Sequence, residues 1–207
     1  MRRREALFAG GAAWVSGGVW AQAGAGEQIK PYLQYKPVAG DEKTVRVFFA
    51  AMCPFSKAYL QFFRNLSATL PADKTFKFTP VVNMADGKSF ALAFAGVQLK
   101  LPKYVDAFVE AAMIASQDKG IATDTWQGLE RIGQAARLPV SLTKLVRQNQ
   151  DDVAKEAAFY VALQRDLQII NTPAVAVAGT YVVTPEFTRG DSALFSQLVN
   201  SIISMAR

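Results

Sequence analysis

The chain has 207 residues, 51% of them hydrophobic, enough for one domain, or one domain carrying an insertion, to bury an ample core. Its formal charge of +6 is spread along the sequence rather than gathered into a stripe, which excludes a nucleic-acid partner and makes the lysines and arginines read as solvated surface. One cysteine, Cys53, excludes an internal disulfide, and the absence of histidine excludes Cys-His and Ser-His-Asp catalysis and most zinc sites.

Residues 1–23 read as a signal peptide. Arg2-Arg3-Arg4 is its positive region, Ala6 to Trp20 an apolar stretch softened by four glycines, and Ala21-Gln22-Ala23 an A-x-A cleavage site. The stretch is too short and glycine-rich for a comfortable span, so cleavage is expected over an uncleaved anchor, with no stable membrane insertion afterwards. The destination expected is the periplasm. Arg3-Arg4-Glu5-Ala6-Leu7 partly resembles a twin-arginine signal, which would export the chain already folded.

Ile29 to Tyr35 alternates and predicts a first strand, ending before Pro37. Ala39-Gly40-Asp41 reads as a turn. Thr44 to Ala50 is β-branched and aromatic and predicts a second strand, followed at once by Cys53-Pro54. Tyr59, Phe62, Phe63 and Leu66 repeat at helical spacing, so one helix is expected from the cysteine to Pro71. Phe76 to Val82 predicts a third strand. From Ser89 to Asp166 the pattern is helical, with Val105, Phe108, Val109 and Ala112 on one face and Trp126, Leu129, Ile132 and Gly133 on another. Ser141 opens a short helix, and Asp151 or Asp152 caps the next. Ala174–Val177 and Tyr181–Val183, joined through Gly179-Thr180, form a hairpin, and Asp191 caps a last helix whose face is Phe195, Leu198, Val199 and Ile202. Strand, helix, strand at the start favours parallel pairing and the hairpin an antiparallel addition, giving an α/β fold with a mixed sheet.

A thiol at the strand-to-helix corner meets unpaired backbone N–H groups and the positive end of the helix dipole, and both favour the nucleophilic thiolate. Pro54 suits the first helical turn. Ser56, three residues on, is placed to point its hydroxyl back at the sulfur. The alternative is a small buried apolar cysteine.

Val45 to Phe49 leading into Cys53-Pro54-Phe55-Ser56 resembles the active-site strand and helix start of DsbA-like thiol:disulfide interchange proteins, whose hallmark there is C-P-x-C. Asn171-Thr172-Pro173 before an apolar hairpin resembles their second hallmark, a cis-proline loop. The resemblance covers nearly the whole mature chain in organisation. It implies a thioredoxin-like mixed sheet flanked by helices over 24–88 and 169–207, with an inserted all-helical subdomain over 89–168. It implies catalytic roles for Cys53 and Ser56 and substrate binding by Pro54, Phe55, Thr172 and Pro173. It calls for no cofactor or metal, and its partners would be cysteine-containing exported proteins or glutathione as co-substrate.

The departure is Ser56, which stands where the family has its second cysteine. A serine oxygen cannot resolve a mixed disulfide, so the chain cannot store or donate a disulfide by itself. Three readings remain: one-thiol exchange or isomerisation; a redox-inactive binding or chaperone module for an envelope assembly; and a glutathione-dependent protein, since C-P-F-S is similar to the C-G-F-S of monothiol glutaredoxins. The signal peptide and Pro54 argue against the third.

Overall fold

The computed structural model describes residues 30–82 and 87–206, so the expected signal peptide lies outside the described residues. The strands are β1 (Leu33–Gln34), β2 (Thr44–Phe49), β3 (Thr75–Pro80), β4 (Ala174–Val177) and β5 (Tyr181–Val183). They form one mixed sheet in the order β1-β5-β4-β2-β3, in which β2 and β3 are parallel and the other neighbours antiparallel. Helices α1 (Pro54–Ala58) and α2 (Leu60–Thr69) join β2 to β3. Between β3 and β4 run α3 (Gly87–Lys100), α4 (Val105–Lys119), α5 (Trp126–Ala135), α6 (Leu142–Gln148) and α7 (Gln150–Asp166), and α8 (Ser192–Met205) closes the chain.

All six residues of β2 are buried, and their alternation divides them between two apolar layers. Val45, Val47 and Phe49 join a core continuous with α2, α3, α4, α5 and α8. Phe48 faces the opposite layer, with Leu163 and Leu167 at the end of α7 and Ile169 beyond it. Phe49 makes edge contacts with Phe78, Phe90 and Phe94, at centroid distances of 5.8, 6.1 and 5.6 Å, so the last residue of β2 is locked by rings from β3 and α3. Each such buried ring contributes about 1.5–3 kcal/mol, and together they fix the point from which the chain turns into Cys53.

Arg46, which as a lysine or arginine was expected at the solvated surface, is 1% exposed on the same strand. Its guanidinium grips Asp41 through two donors at 2.9 and 2.6 Å, reaches Thr79 Oγ1 with a third at 2.8 Å, and lies 5.6 Å from the Phe159 ring. A buried guanidinium whose three nitrogens each find an acceptor, two of them on one carboxylate, is the arrangement in which arginine tolerates a core.

Four boundaries differ from the expectations. The ladder of the first strand is two residues long, because Pro31 and Pro37 supply no N–H beside it. The helix after Cys53 is divided at Tyr59 (φ −89°, ψ 0°), although Tyr59 N–H to Phe55 O and Phe63 N–H to Tyr59 O, at 3.0 and 3.1 Å, carry the ladder across. The strand expected over Phe76 to Val82 spans Thr75–Pro80. Asn149 occupies the position before α7, and Asp151 and Asp152 fall in its first turn, where their charge still meets the positive end of the dipole.

Candidate functional site

The site is built where β2 ends and α1 begins. Cys53 is the N-cap of α1, with extended backbone (φ −79°, ψ 115°) and Pro54 in the first turn. Its Sγ accepts from Ser56 N–H at 3.5 Å, satisfying one of the helix's unpaired donors. The same sulfur, as a thiol, donates to Thr172 O at 3.1 Å across 119 positions of sequence. The Thr172–Pro173 peptide bond is cis. The fold thus brings together Cys53, Pro54, Phe55, Ser56, Thr172 and Pro173, all six site residues of the sequence reading.

The expected bond from the Ser56 hydroxyl to sulfur is replaced by a backbone one. Ser56 is fully buried, and its Oγ accepts from Ala50 N–H at 3.5 Å. Phe55, by contrast, is 65% exposed, and so are the apolar side chains of Met52, next to the partly buried cysteine in sequence, and Ile170, three residues before Pro173.

A groove of about 860 Å³ is lined by Phe55, Tyr59, Phe62, Thr172, Pro173 and Pro185, together with the polar residues Asn171, Glu186 and Arg189. Asn171 Nδ2 donates to Glu186 Oε1 at 2.7 Å and so ties the cis-proline loop to the turn before α8. Tyr59 Oη donates to Gly190 O at 3.3 Å. Burial, helped by the Asp191 charge, pushes the Tyr59 phenol above its usual range, so it stays a neutral donor.

Two contacts on α4 support the corner. Gln117 Nε2 donates to Ala51 O at 2.7 Å and to Cys53 O at 3.1 Å. Lys57 on α1 pairs with Asp118 at 2.5 Å. Neither was found from sequence, since a polar pair at the end of an amphipathic helix reads as solvent-facing. Arg189-Gly190-Asp191 reads from sequence as a turn and helix cap, but its place beside the cis-proline loop, with Glu186, was not found. Among the described residues there is no cluster of three or more Cys, Asp or Glu placed to hold a metal, and no helix long and apolar enough to cross a membrane.

No family model and no curated protein matches the chain. Solved structures do. A Proteus mirabilis DsbA variant with a non-covalently bound peptide, PWATCDS, aligns with TM-score 0.70 and 17% identity over 85% of this chain and 95% of that one. Its fold is that of DsbA. A DsbA oxidoreductase from Xylella fastidiosa aligns with TM-score 0.68 and 19% identity, covering 84% of this chain and 94% of that one. SrgA of Salmonella enterica serovar Typhimurium aligns with TM-score 0.65 and 20% identity, covering 81% of this chain and 98% of that one. The DsbA fold explains why a cysteine after β2 and a proline before β4 meet: β2 and β4 are adjacent antiparallel strands, and the two residues lie past the same end of that pair.

Proposed function

We propose that the chain is an exported, periplasmic one-thiol exchange protein of the DsbA type, in which Cys53 forms mixed disulfides with cysteine-containing exported proteins or with glutathione. The observation that carries this reading is the position of the chain's one sulfur. It lies 3.1 Å from the Thr172 carbonyl that precedes the cis-proline, and Phe55, Thr172 and Pro173 around it line an apolar groove. A peptide lying along Pro173 would present a disulfide to that sulfur while its apolar side chains enter the groove. The peptide held by the Proteus mirabilis DsbA variant supports a cysteine-containing peptide as the kind of ligand. In this reading residues 24–88 and 169–207 are the thioredoxin-like body and 89–168 an insertion that covers it.

The chemistry is a pair of displacements. Cys53 thiolate attacks one sulfur of a disulfide R–S–S–R′, forming Cys53–S–S–R and expelling R′S⁻. An external thiolate R″S⁻ then attacks the R sulfur, giving R–S–S–R″ and returning the Cys53 thiolate. One disulfide enters and one leaves, so no electrons are gained or lost, and the outcome is exchange or isomerisation. Pro54 and Phe55 flank the nucleophile, Thr172 and Pro173 position the substrate backbone, and Ser56 N–H is the donor that remains to the sulfur. No cofactor is called for.

The deciding experiment is acid quench, alkylation and intact mass spectrometry of the protein taken directly from the periplasm. Mixed disulfides that are absent in Cys53→Ser establish the exchange and name its substrates. A thiol that is free there, and inert to added disulfide, defeats it. A second reading, a redox-inactive binding module for an envelope assembly, is favoured by one observation: the hydroxyl of Ser56 is fully buried and accepts from Ala50 N–H. Full function in Cys53→Ala would select it.

A further inference from the structure

The corner that presents Cys53 is held from outside the sheet. Ala51, Met52 and Cys53 form the connection between β2 and α1. Cys53 N–H donates to Ala50 O at 3.1 Å, while Cys53 O accepts from Lys57 N–H at 3.3 Å, a long bond for a first helical turn. α1 itself has only five residues, too few to be rigid alone. Onto this corner the end of α4 places one side-chain amide that donates twice, to Ala51 O at 2.7 Å and to Cys53 O at 3.1 Å, from opposite sides of Met52. One residue along α4, Asp118 binds Lys57, so the helix grips both the corner and α1.

We propose that Gln117 is a positioning residue for Cys53, its two donors fixing the carbonyls on either side of Met52 and so the direction of the Cys53 side chain. The proposal rests on the exchange reading, in which the direction of Sγ matters. A thiolate attacks a disulfide along the S–S axis, and at that geometry a displacement of about 1 Å can cost on the order of a hundredfold in rate. Lys57 N–H alone, at 3.3 Å, would hold the Cys53 carbonyl less firmly than the two bonds together. The helical block between β3 and β4 then does more than cover the sheet. It aims the nucleophile.

The test compares three full-length proteins with oxidised glutathione as the probe disulfide, following the Cys53 adduct by quench and intact mass, with thermal unfolding measured beside it. Q117M keeps the length and apolar stem of the side chain and removes both donors; Q117K restores a donor. The expected result is that Q117M reacts about tenfold more slowly and Q117K stays within about threefold of wild type, at unchanged unfolding temperature. Q117M at the wild-type rate, or Q117K as slow as Q117M, overturns the proposal, because a packing role would not follow the donor. If Q117M does not fold, Q117E takes its place: a carboxylate facing two carbonyl oxygens must be at least as slow, and a wild-type rate there overturns the proposal too. A wild-type protein inert to glutathione defeats the exchange reading instead. Iodoacetamide alkylation of the same variants then decides on Gln117 separately, with the same order expected.

Discussion

Among the described residues, the Cys53 sulfur has one donor and one acceptor in reach, Ser56 N–H and Thr172 O, and the side chain that stands in place of a second thiol is a buried hydroxyl accepting from Ala50 N–H. Ser56→Cys replaces that oxygen by a sulfur in the same turn of helix. With excess oxidised glutathione, the variant is expected to close an internal disulfide and carry no glutathione, whereas wild type carries one; intact mass separates the two. A variant that keeps a glutathione adduct would mean the second sulfur remains as withdrawn as the hydroxyl. Arg46 is the other residue whose partner decides its cost. Asp41→Ala leaves a buried guanidinium with Thr79 and a ring face for company, and a loss of about 3–5 kcal/mol is expected in urea unfolding. A loss below about 1 kcal/mol would show that water reaches Arg46 in the variant. The two residues differ in how far they could be read from sequence. Cys53 declared itself because its chemistry is local: a lone thiol where a strand meets a helix. Arg46 did not, because its burial depends on an acid five residues back and a threonine 33 residues on, which no periodicity links.

Among the elements, the start of α5 is the most tightly determined. Thr125 Oγ1 accepts from Gly128 N–H at 3.1 Å, and a Cβ on Gly128 would lie 1.8 Å from Ala122 O. The carbonyl belongs to the backbone and cannot swing aside as a flexible side chain would. Gly128→Ala is therefore expected to cost about 1–3 kcal/mol, seen as a lower unfolding midpoint, although alanine is the better helix former. An unchanged midpoint would mean that the 122–125 turn yields freely. Glu130, two residues further, spans to the next helix and accepts from Leu142 N–H at 3.2 Å and Thr143 N–H at 2.7 Å. It joins the α6 cap that Ser141 Oγ makes with Lys144 N–H. Strand and helix types were legible from the β-branched and aromatic run of β2 and from the apolar spacing along α5 and α8. The break at Tyr59 was not, since the apolar spacing of Tyr59, Phe62, Phe63 and Leu66 continues straight through it. The cap of α7 was misplaced by two or three residues because Asp151 and Asp152 are strong capping types, and only the backbone shows that both lie inside the first turn.

For the molecule as a whole, the absence of histidine shapes its response to pH. The titrations that matter are carboxylates held below their usual range. Glu110 is lowered by its hydrogen bond from Arg64 and Asp152 by its bond from Lys100. Burial pushes Glu130 up, but bonds from Thr143 and Leu142 outweigh it and the net shift is downward. A group whose folded value lies below its unfolded one contributes stability above the unfolded value and loses it as pH falls through the folded one. Urea midpoints are thus expected to hold level from about pH 5.5 to 7.5 and to fall steadily below about pH 4. A midpoint that shifts by more than a small fraction across the neutral range would point to a titrating group other than these. The DsbA fold itself was legible from the order of elements, while the groove was not, because its walls come from α1, α2, the cis-proline loop and the turn before α8, which only the closed sheet brings side by side. The single sulfur at that groove also fixes a reaction order. In a protein with two neighbouring thiols, release of a bound cysteine is unimolecular and indifferent to dilution. In the exchange reading, with a hydroxyl behind Cys53, an adduct that carries no second thiol of its own waits for a collision, and its lifetime is inversely proportional to the concentration of free thiolate around it. Held this way, a partner stays longest where small thiols are scarcest.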